Sequence, residues 1–310
     1  MDLNDGAISD VFGLKGNLAI AIGTVIENYV AGRADDRITG NAAGNVIHGM
    51  AGNDIIDGAA GNDVLYGGPG RDVLRGGTGH DRLFGERAGG PTEVQGAQIY
   101  RLYGAVFDRE PDAGGFAHWA EALAGGRPYL SVVQGFTASR EFQLRYGATD
   151  DRQFVTLLYN NVLDRAPDPG GLAHWTGQLA SGQMTRPEVV RGFAESREFQ
   201  TKTAAEMKAW MRAQGPDDRL NGGPGSDVLH GGIGADSFVF SRADAGHHRV
   251  ADLQSWDWLE FHGFGYSHAG EALARMTQVG ADVHFADQGT TVVLSQTRLA
   301  DLTADMFVFA

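Results

Sequence analysis

The sequence predicts a mainly β fold: stacked turn-and-strand units, interrupted by an all-α insertion and closed by a β-rich C-terminal cap. Three observations carry this expectation. A nine-residue period of the form Gly-Gly-x-Gly-x-Asp-x-apolar-x starts at Ala31, stops at Gly85 and resumes at 213. Between the two blocks a longer motif, with apolar residues at helical spacing, occurs twice. After Val239 the chain reads as short strands and turns, ending in Asp305-Met306-Phe307-Val308-Phe309-Ala310.

The repeats come first in the chain. Clean copies stand at 67–75 and 76–84, then at 222–230 and 231–239. Units 49–57 and 58–66 lack only the second glycine. Units 31–39 and 40–48 are degenerate, with Asn45 in the aspartate position, and 213–221 opens the second block. The first six positions of a unit form a turn and the last three a short strand. Glycines permit the left-handed backbone of a tight turn and bring carbonyl oxygens close to a shared point. The eighth residue points inward: Ile38, Ile47, Ile56, Leu65, Leu74 and Leu83, then Leu220, Leu229 and Phe238.

One such column is a thin core, too small to offset chain entropy alone. The aspartates make matters worse, since stacking lines up like charges. Two carboxylates about 4 Å apart repel by roughly 1 to 4 kcal/mol, depending on the effective dielectric. A cation turns that repulsion into coordination, and its binding free energy becomes folding free energy. Carbonyls and carboxylates are the hard ligands calcium takes. Extracellular calcium modules bind at about 10⁻⁴ to 10⁻³ M. Disorder inside the cell and order outside is the expectation. Flexible Gly-rich linkers would not keep an aspartate and an apolar residue in one register over six consecutive units.

Bulk properties agree. A net charge of −14, from 39 acidic and 25 basic side chains, argues against a nucleic acid partner. With no cysteine, disulfide staples and thiolate chemistry are excluded. The acidic start Met1-Asp2-Leu3-Asn4-Asp5 lacks the pattern of a cleaved signal peptide, and Leu18 to Ile26 is too short to span a bilayer.

The units resemble the hemolysin-type calcium-binding repeats of RTX proteins. That resemblance implies a parallel β-roll, with successive units on opposite sides and several Ca2+ ions held between the turns of units n and n+2. The ligands it implies are the carboxylates of Asp36, Asp54, Asp63, Asp72, Asp81, Asp218, Asp227 and Asp236. Asn45 would stand in with an uncharged amide. It also implies turn carbonyls from Gly49, Gly52, Gly58, Gly61, Gly67, Gly68, Gly70, Gly76, Gly77 and Gly79 in the first block, and from Gly222, Gly223, Gly225, Gly231, Gly232 and Gly234 in the second.

A finer likeness is to the C-terminal half of serralysin-type metalloproteases. Gly13-Leu14-Lys15-Gly16-Asn17 and Ile26-Glu27-Asn28 resemble the segment that leads into their roll, where Glu27 matches a further calcium ligand. Residues 231–310 are similar to the closing part of that module. An acidic residue followed by hydrophobic ones at the chain end resembles a signal read by type I secretion machinery. The resemblance implies an extracellular, secreted protein.

The longer motif spans Tyr103 to Leu123 and returns at 159 to 179, sharing Tyr, Val, Asp-Arg, Pro-Asp, Gly-Gly and Ala-His-Trp. Gly135-Phe136 and Ser139-Arg140-Glu141-Phe142 return as Gly192-Phe193 and Ser196-Arg197-Glu198-Phe199. Asp112 and Asp168, each just after a proline, are expected N-caps. The segment resembles a domain of unknown function found in secreted bacterial RTX proteins.

The expected domains are 1–30 leading into the roll, 31–84 as its first block, 85–97 as linker, 98–203 as the tandem helical domain (copies 98–151 and 153–203), 204–212 as linker, 213–239 as the second block, and 240–310 as the cap with the secretion signal. Because register is kept from Gly85 to Ala213, the helical pair is expected at one turn of a single roll.

An enzyme is not expected. Serralysin-type chemistry needs His-Glu-x-x-His, and none of the ten histidines stands in that pattern. His118-Trp119 and His174-Trp175 read as shared packing, His247-His248 as a solvated turn, and Trp256 and Trp258 as core residues alternating along a strand. The expected function is a calcium-induced scaffold presenting the helical domain to an extracellular protein or polysaccharide, without a membrane span. The alternative is the noncatalytic C-terminal portion of a serralysin-like metalloprotease.

Overall fold

A computed structural model describes residues 1–4, 6–11, 14–20, 24–87, 89–214 and 217–310. Gly13 of the lead-in segment lies outside them. The chain divides into two compact units, Met1–Gly90 with Met211–Ala310, and Pro91–Trp210.

The first unit is a parallel β-roll. It begins with an antiparallel pair, β1 (Ile8–Val11) and β2 (Leu14–Ala19), which forms a sheet of its own. Short strands follow: β3 (Asn28–Val30), β4 (Arg37–Asn41), β5 (Val46–His48), β6 (Ile55–Ala59), β7 (Val64–Tyr66), β8 (Val73–Arg75), β9 (Arg82–Phe84), β10 (Arg219–Asn221), β11 (Val228–His230) and β12 (Ser237–Ser241). Each pairs with the strand two units on. One sheet runs β4–β6–β8–β10–β12 and the other β3–β5–β7–β9–β11. A tight turn reverses the chain after each short strand, so two units make one coil.

The helical insertion leaves this stacking intact. Leu74 pairs in register with Leu220, and Leu83 with Leu229. The roll is one solenoid. Its inward column from Ile38 to Phe238 is at most 1 % exposed, each such side chain contributing about 1.5–3 kcal/mol by burial. On the outer face of one sheet His48, Tyr66, Phe84 and His230 stack with ring centroids 4.6, 4.8 and 4.7 Å apart. At the N-terminal end Leu3 is fully buried, held by its N–H to the Thr39 carbonyl at 2.8 Å.

Beyond Val239 the chain forms short strands and turns, as expected. The strands are β13 (His247–Val250), β14 (Trp258–His262), β15 (Met276–Val279), β16 (Asp282–Asp287), β17 (Thr290–Leu294) and β18 (Phe307–Phe309). Of these, β13 stacks parallel on β11 and β14 on β12, and β17 and β18 extend both sheets. The β-rich cap therefore first continues the coil, and antiparallel β15–β16–β17 then close it. The period is lost because the turns lengthen: the row spacing of 18 residues becomes 21. Trp256 is buried as expected but lies in one of these longer turns, and only Trp258 is in a strand.

The second unit is helical and duplicated. One copy holds α1 (Glu93–Phe107), α2 (Ala113–Ala124), α3 (Tyr129–Ala138) and α4 (Arg140–Tyr146). The other holds α5 (Asp151–Leu163), α6 (Pro169–Ala180), α7 (Arg186–Ala194) and α8 (Arg197–Ala213). The presumed linkers are partly helix. Thr92 and Gln95 form a capping box that starts α1 early, and 204–212 continue α8. Asp112 and Asp168 are N-caps, accepting from Gly115 and Gly171 N–H at 2.8 Å. Trp119 sits against Gly135 and Trp175 against Gly192, where a Cβ would stand 2.9 and 2.8 Å from the indole. The repeated Gly-Phe pair is a notch for a tryptophan. No helix among the described residues is long and apolar enough to cross a membrane.

Candidate metal centre

The turns stack as the strands do, and their aspartates form two rows. In each row an aspartate Oδ1 accepts the backbone N–H of the aspartate one coil earlier. Asp36 N–H donates to Asp54 at 2.8 Å, Asp54 to Asp72 at 2.7 Å, Asp72 to Asp218 at 2.7 Å and Asp218 to Asp236 at 2.9 Å. On the other side Asn45 donates to Asp63 at 2.7 Å, Asp63 to Asp81 at 2.8 Å and Asp81 to Asp227 at 2.9 Å. Across the insertion the sequence separation grows from 18 to 146 residues while the geometry holds. The helical unit splits a single turn: Gly85 takes its first position, where a Cβ would strike the Asp218 carboxylate, and Asp218 is its aspartate.

The second oxygen of these carboxylates is different. Oδ2 of Asp54, Asp63, Asp72, Asp81 and Asp236 is buried without a hydrogen-bond partner. Burial raises the pKa of these groups, and charges of neighbouring carboxylates add to it. Asp63 is pushed up to about 7, Asp72 to about 8 and Asp81 to about 6. Asp54 is also raised, and Asp218 and Asp236 stand well above the carboxylate range. The row N–H bond pulls the other way and is outweighed. An orphaned anionic oxygen in a protein interior is costly; a bound proton or a cation would settle it.

Carbonyls converge on the same points. A Cβ at Gly58 would meet Asp63 Oδ2 and the Gly76 carbonyl, and one at Gly67 would meet Asp72 Oδ2 and the Gly85 carbonyl. Gly49 lies likewise against Asp54 and the Gly67 carbonyl, and Gly76 against Asp81 and that of Gly222. Carbonyls of Gly52, Gly61 and Gly79 approach Gly70, Gly79 and Gly225, and Gly77 approaches Gly223. These turns form an oxygen-lined cradle that suits a hard divalent cation.

Not every expected residue joins equally. Gly222 and Gly231 face their own aspartates, Asp227 and Asp236. Gly232 and Gly234 lie against Glu86 and Asp217 of the split turn. Asp36, at the N-terminal end, is half-buried and accepts from Gly32 N–H at 3.1 Å. Glu27 aligns with Asn45 in strand register but is exposed. Asn45 is closed on itself: its amide donates to the Ile26 carbonyl at 2.9 Å and accepts from Asn41 at 2.9 Å.

Four residues join these rows that the repeat pattern does not mark. The carbonyls of Met50 and Ala59 approach Gly68 and Gly77, although neither residue is glycine. Asp257 carries one row onward, accepting from Asp236 N–H at 3.0 Å. His248, expected in a solvated turn, is instead 5 % exposed and bonds Asp227.

A family model described as the RTX calcium-binding nonapeptide repeat (4 copies) matches residues 30–65, 57–87 and 217–242. Residues 30–87 and 217–242 of the roll are RTX calcium-binding repeats. A model for a domain of unknown function (DUF4214) matches 84–143 and 133–203. Among relatives, serralysin of Photorhabdus laumondii is 50 % identical over 45 residues, covering 14 % of this chain and 9 % of that protein. Metallopeptidase AprA of Pseudomonas marginalis is 51 % identical over 46 residues, 15 % of this chain and 10 % of that one. Serralysin C of Dickeya chrysanthemi is 56 % identical over 36 residues, 12 % and 8 %. The chain thus spans about a tenth of the length of these relatives. Among solved structures, extracellular lipase LipA from Serratia marcescens aligns with a TM-score of 0.28 at 15 % identity, covering 93 % of this chain and 41 % of that one.

Proposed function

We propose that this chain is a secreted RTX protein whose β-roll is completed by calcium outside the cell, and which presents its helical pair to an extracellular protein or polysaccharide. The observation that carries the proposal is the run of buried Oδ2 atoms left without donors. Calcium would supply positive charge where only acceptors meet. Asp36, Asp54, Asp72, Asp218 and Asp236 would hold it on one side, Asp63, Asp81 and Asp227 on the other, with the turn carbonyls between. Its role is structural, and no catalytic step is assigned. Export by type I secretion accords with a roll that stays open until calcium is plentiful, and with the likeness to serralysins over the repeats.

A second reading, a noncatalytic portion of a serralysin-like metalloprotease, is favoured by those same matches. A reading frame upstream that encodes His-Glu-x-x-His in continuity with this chain would decide for it.

The test is a calcium titration followed by circular dichroism, with Asp72→Ala and Asp81→Ala alongside. Strand signal should appear with calcium and at higher concentration in both variants. Full strand content in excess chelator, unchanged on adding calcium, would refute the proposal.

A further inference from the structure

The two rows of turns end differently. Strand register aligns Leu229 with Val250 on one side and Phe238 with Leu259 on the other. The residues just before these pairs align as well, so His248 occupies the place that follows Asp227, and Asp257 the place that follows Asp236. Both steps are 21 residues. One level of the coil therefore holds an imidazole in one row and a carboxylate in the other.

Their chemistry is opposite. His248 is buried, and its Nδ1 lies 3.0 Å from Asp227 Oδ2. A carboxylate has only acceptors, so the ring nitrogen donates. The oxygen that is orphaned in Asp63 and Asp81 of this row is satisfied in Asp227 by the protein itself. In the other row Asp236 is 0 % exposed with its Oδ2 still unpartnered. Asp257 is 1 % exposed, and a carboxylate oxygen of each lies within 4.8 Å of the other.

That second row is closed one step later. Its next strand pairing, Leu259 with Phe307, aligns Asp257 with Asp305. Arg212 pairs with Asp305 and donates to the carbonyls of Trp256 at 2.9 Å and Asp257 at 3.3 Å. A guanidinium offers five donors in a fixed fork, here directed at a carboxylate and turn carbonyls together.

We infer that His248 and Arg212 are built-in substitutes for the last ion of each row. Calcium occupies the gap between the turns of Asp236 and Asp257, beyond the last nonapeptide repeat, while the equivalent gap between Asp227 and His248 takes none. The inference rests on the proposed calcium reading. It adds a metal position that the repeat does not encode and removes one that the roll's symmetry would suggest.

Counting bound ions per chain at saturating calcium, by native mass spectrometry of the full chain, tests it. His248→Asp should gain one ion relative to the unaltered protein, and Asp257→Asn should lose one. Equal counts in all three would overturn the inference, whereas an unaltered chain that binds no calcium would overturn the calcium reading itself. If a variant does not fold, anomalous scattering from calcium in crystals of the unaltered chain decides. An ion between Asp236 and Asp257 with none beside His248 supports the inference; an ion beside His248, or none at Asp257, refutes it.

Discussion

The roll and the helical pair are both built from repeated motifs rich in charge, yet their charges are settled differently. In the helical pair the partners lie within the unit. Arg165 clasps Glu198 with two bonds of 2.7 and 2.9 Å, and Arg109 lies 3.4 Å from Glu141. The Asp-Arg of one motif meets the Glu of the other, and Ser139 and Ser196 accept the N–H groups of Phe142 and Phe199 at 3.2 Å. In the roll the repeated aspartate keeps an oxygen that nothing in the chain satisfies. Repetition alone does not separate a shared packing motif from a shared ligand. Whether hydrogen-bonding capacity closes inside the protein does.

Removing calcium should break the molecule along that division. In excess chelator the amides of β5 to β11 are expected to lose protection in hydrogen exchange, while those of α1, α5 and α8 keep theirs. This is the largest effect expected, because on the proposed calcium reading binding free energy is folding free energy. Roll amides that stay protected in chelator, or helical amides that follow the roll, would erase the contrast.

Single substitutions should show it more finely. Asp72→Ala removes a proposed ligand and leaves the buried Asp54 N–H without its acceptor, a loss of about 1–3 kcal/mol from the hydrogen bond alone. The calcium midpoint should rise roughly tenfold or more. Glu198→Ala breaks a half-exposed ion pair and should cost about 1 kcal/mol or less. Its calcium midpoint should not move. Isothermal titration of both variants checks the pair.

The pH dependence has a definite sign. Asp63, Asp72 and Asp81 have folded pKa values of about 7, 8 and 6, above the ordinary 3.8. Between those limits the metal-free roll binds more protons than the unfolded chain, so its stability is greatest near the low end and falls as pH rises. Calcium needs the ionised form, so its apparent affinity should strengthen over the same rise. Titrations at about pH 5 and about pH 9 read this, roughly one unit outside the values of Asp81 and Asp72. A calcium midpoint independent of pH would mean that protons and metal do not compete for these carboxylates.

What the sequence disclosed, and what it hid, follows from spacing. A strict nine-residue unit maps directly onto a two-sided coil, so the inward column and the rows from Asp36 to Asp236 were legible. Asp257 and His248 were not, because turns longer by three residues drop them out of register. Arg212 was hidden for another reason: it reaches the row from the end of α8 and carries no motif of its own. In the helical pair the caps Asp112 and Asp168 were readable locally. Gly135 and Gly192 showed only as repetition until their tryptophans were in place.

The finest prediction concerns two residues that depart from the repeat. Met50 and Ala59 stand where the unit has its second glycine, and they keep its backbone, with φ of 80° and 75° against 108° and 96° at Gly68 and Gly77. A side chain in that region costs about 1–2 kcal/mol. Glycine would relieve it, while giving back about 0.5–1 kcal/mol through a freer unfolded chain. Met50 is 42 % exposed, so little burial is lost with it. Met50→Gly should therefore stabilise the calcium-bound roll by about 1 kcal/mol or less, a rise of about 2–4 °C in its melting transition. The gain should fall on the calcium-dependent transition only, since the carbonyl that Met50 directs at Gly68 belongs to the turn cradle. An equal shift of the helical transition would mean that the two units unfold as one, and the contrast between them would then be one of chemistry without separate stability.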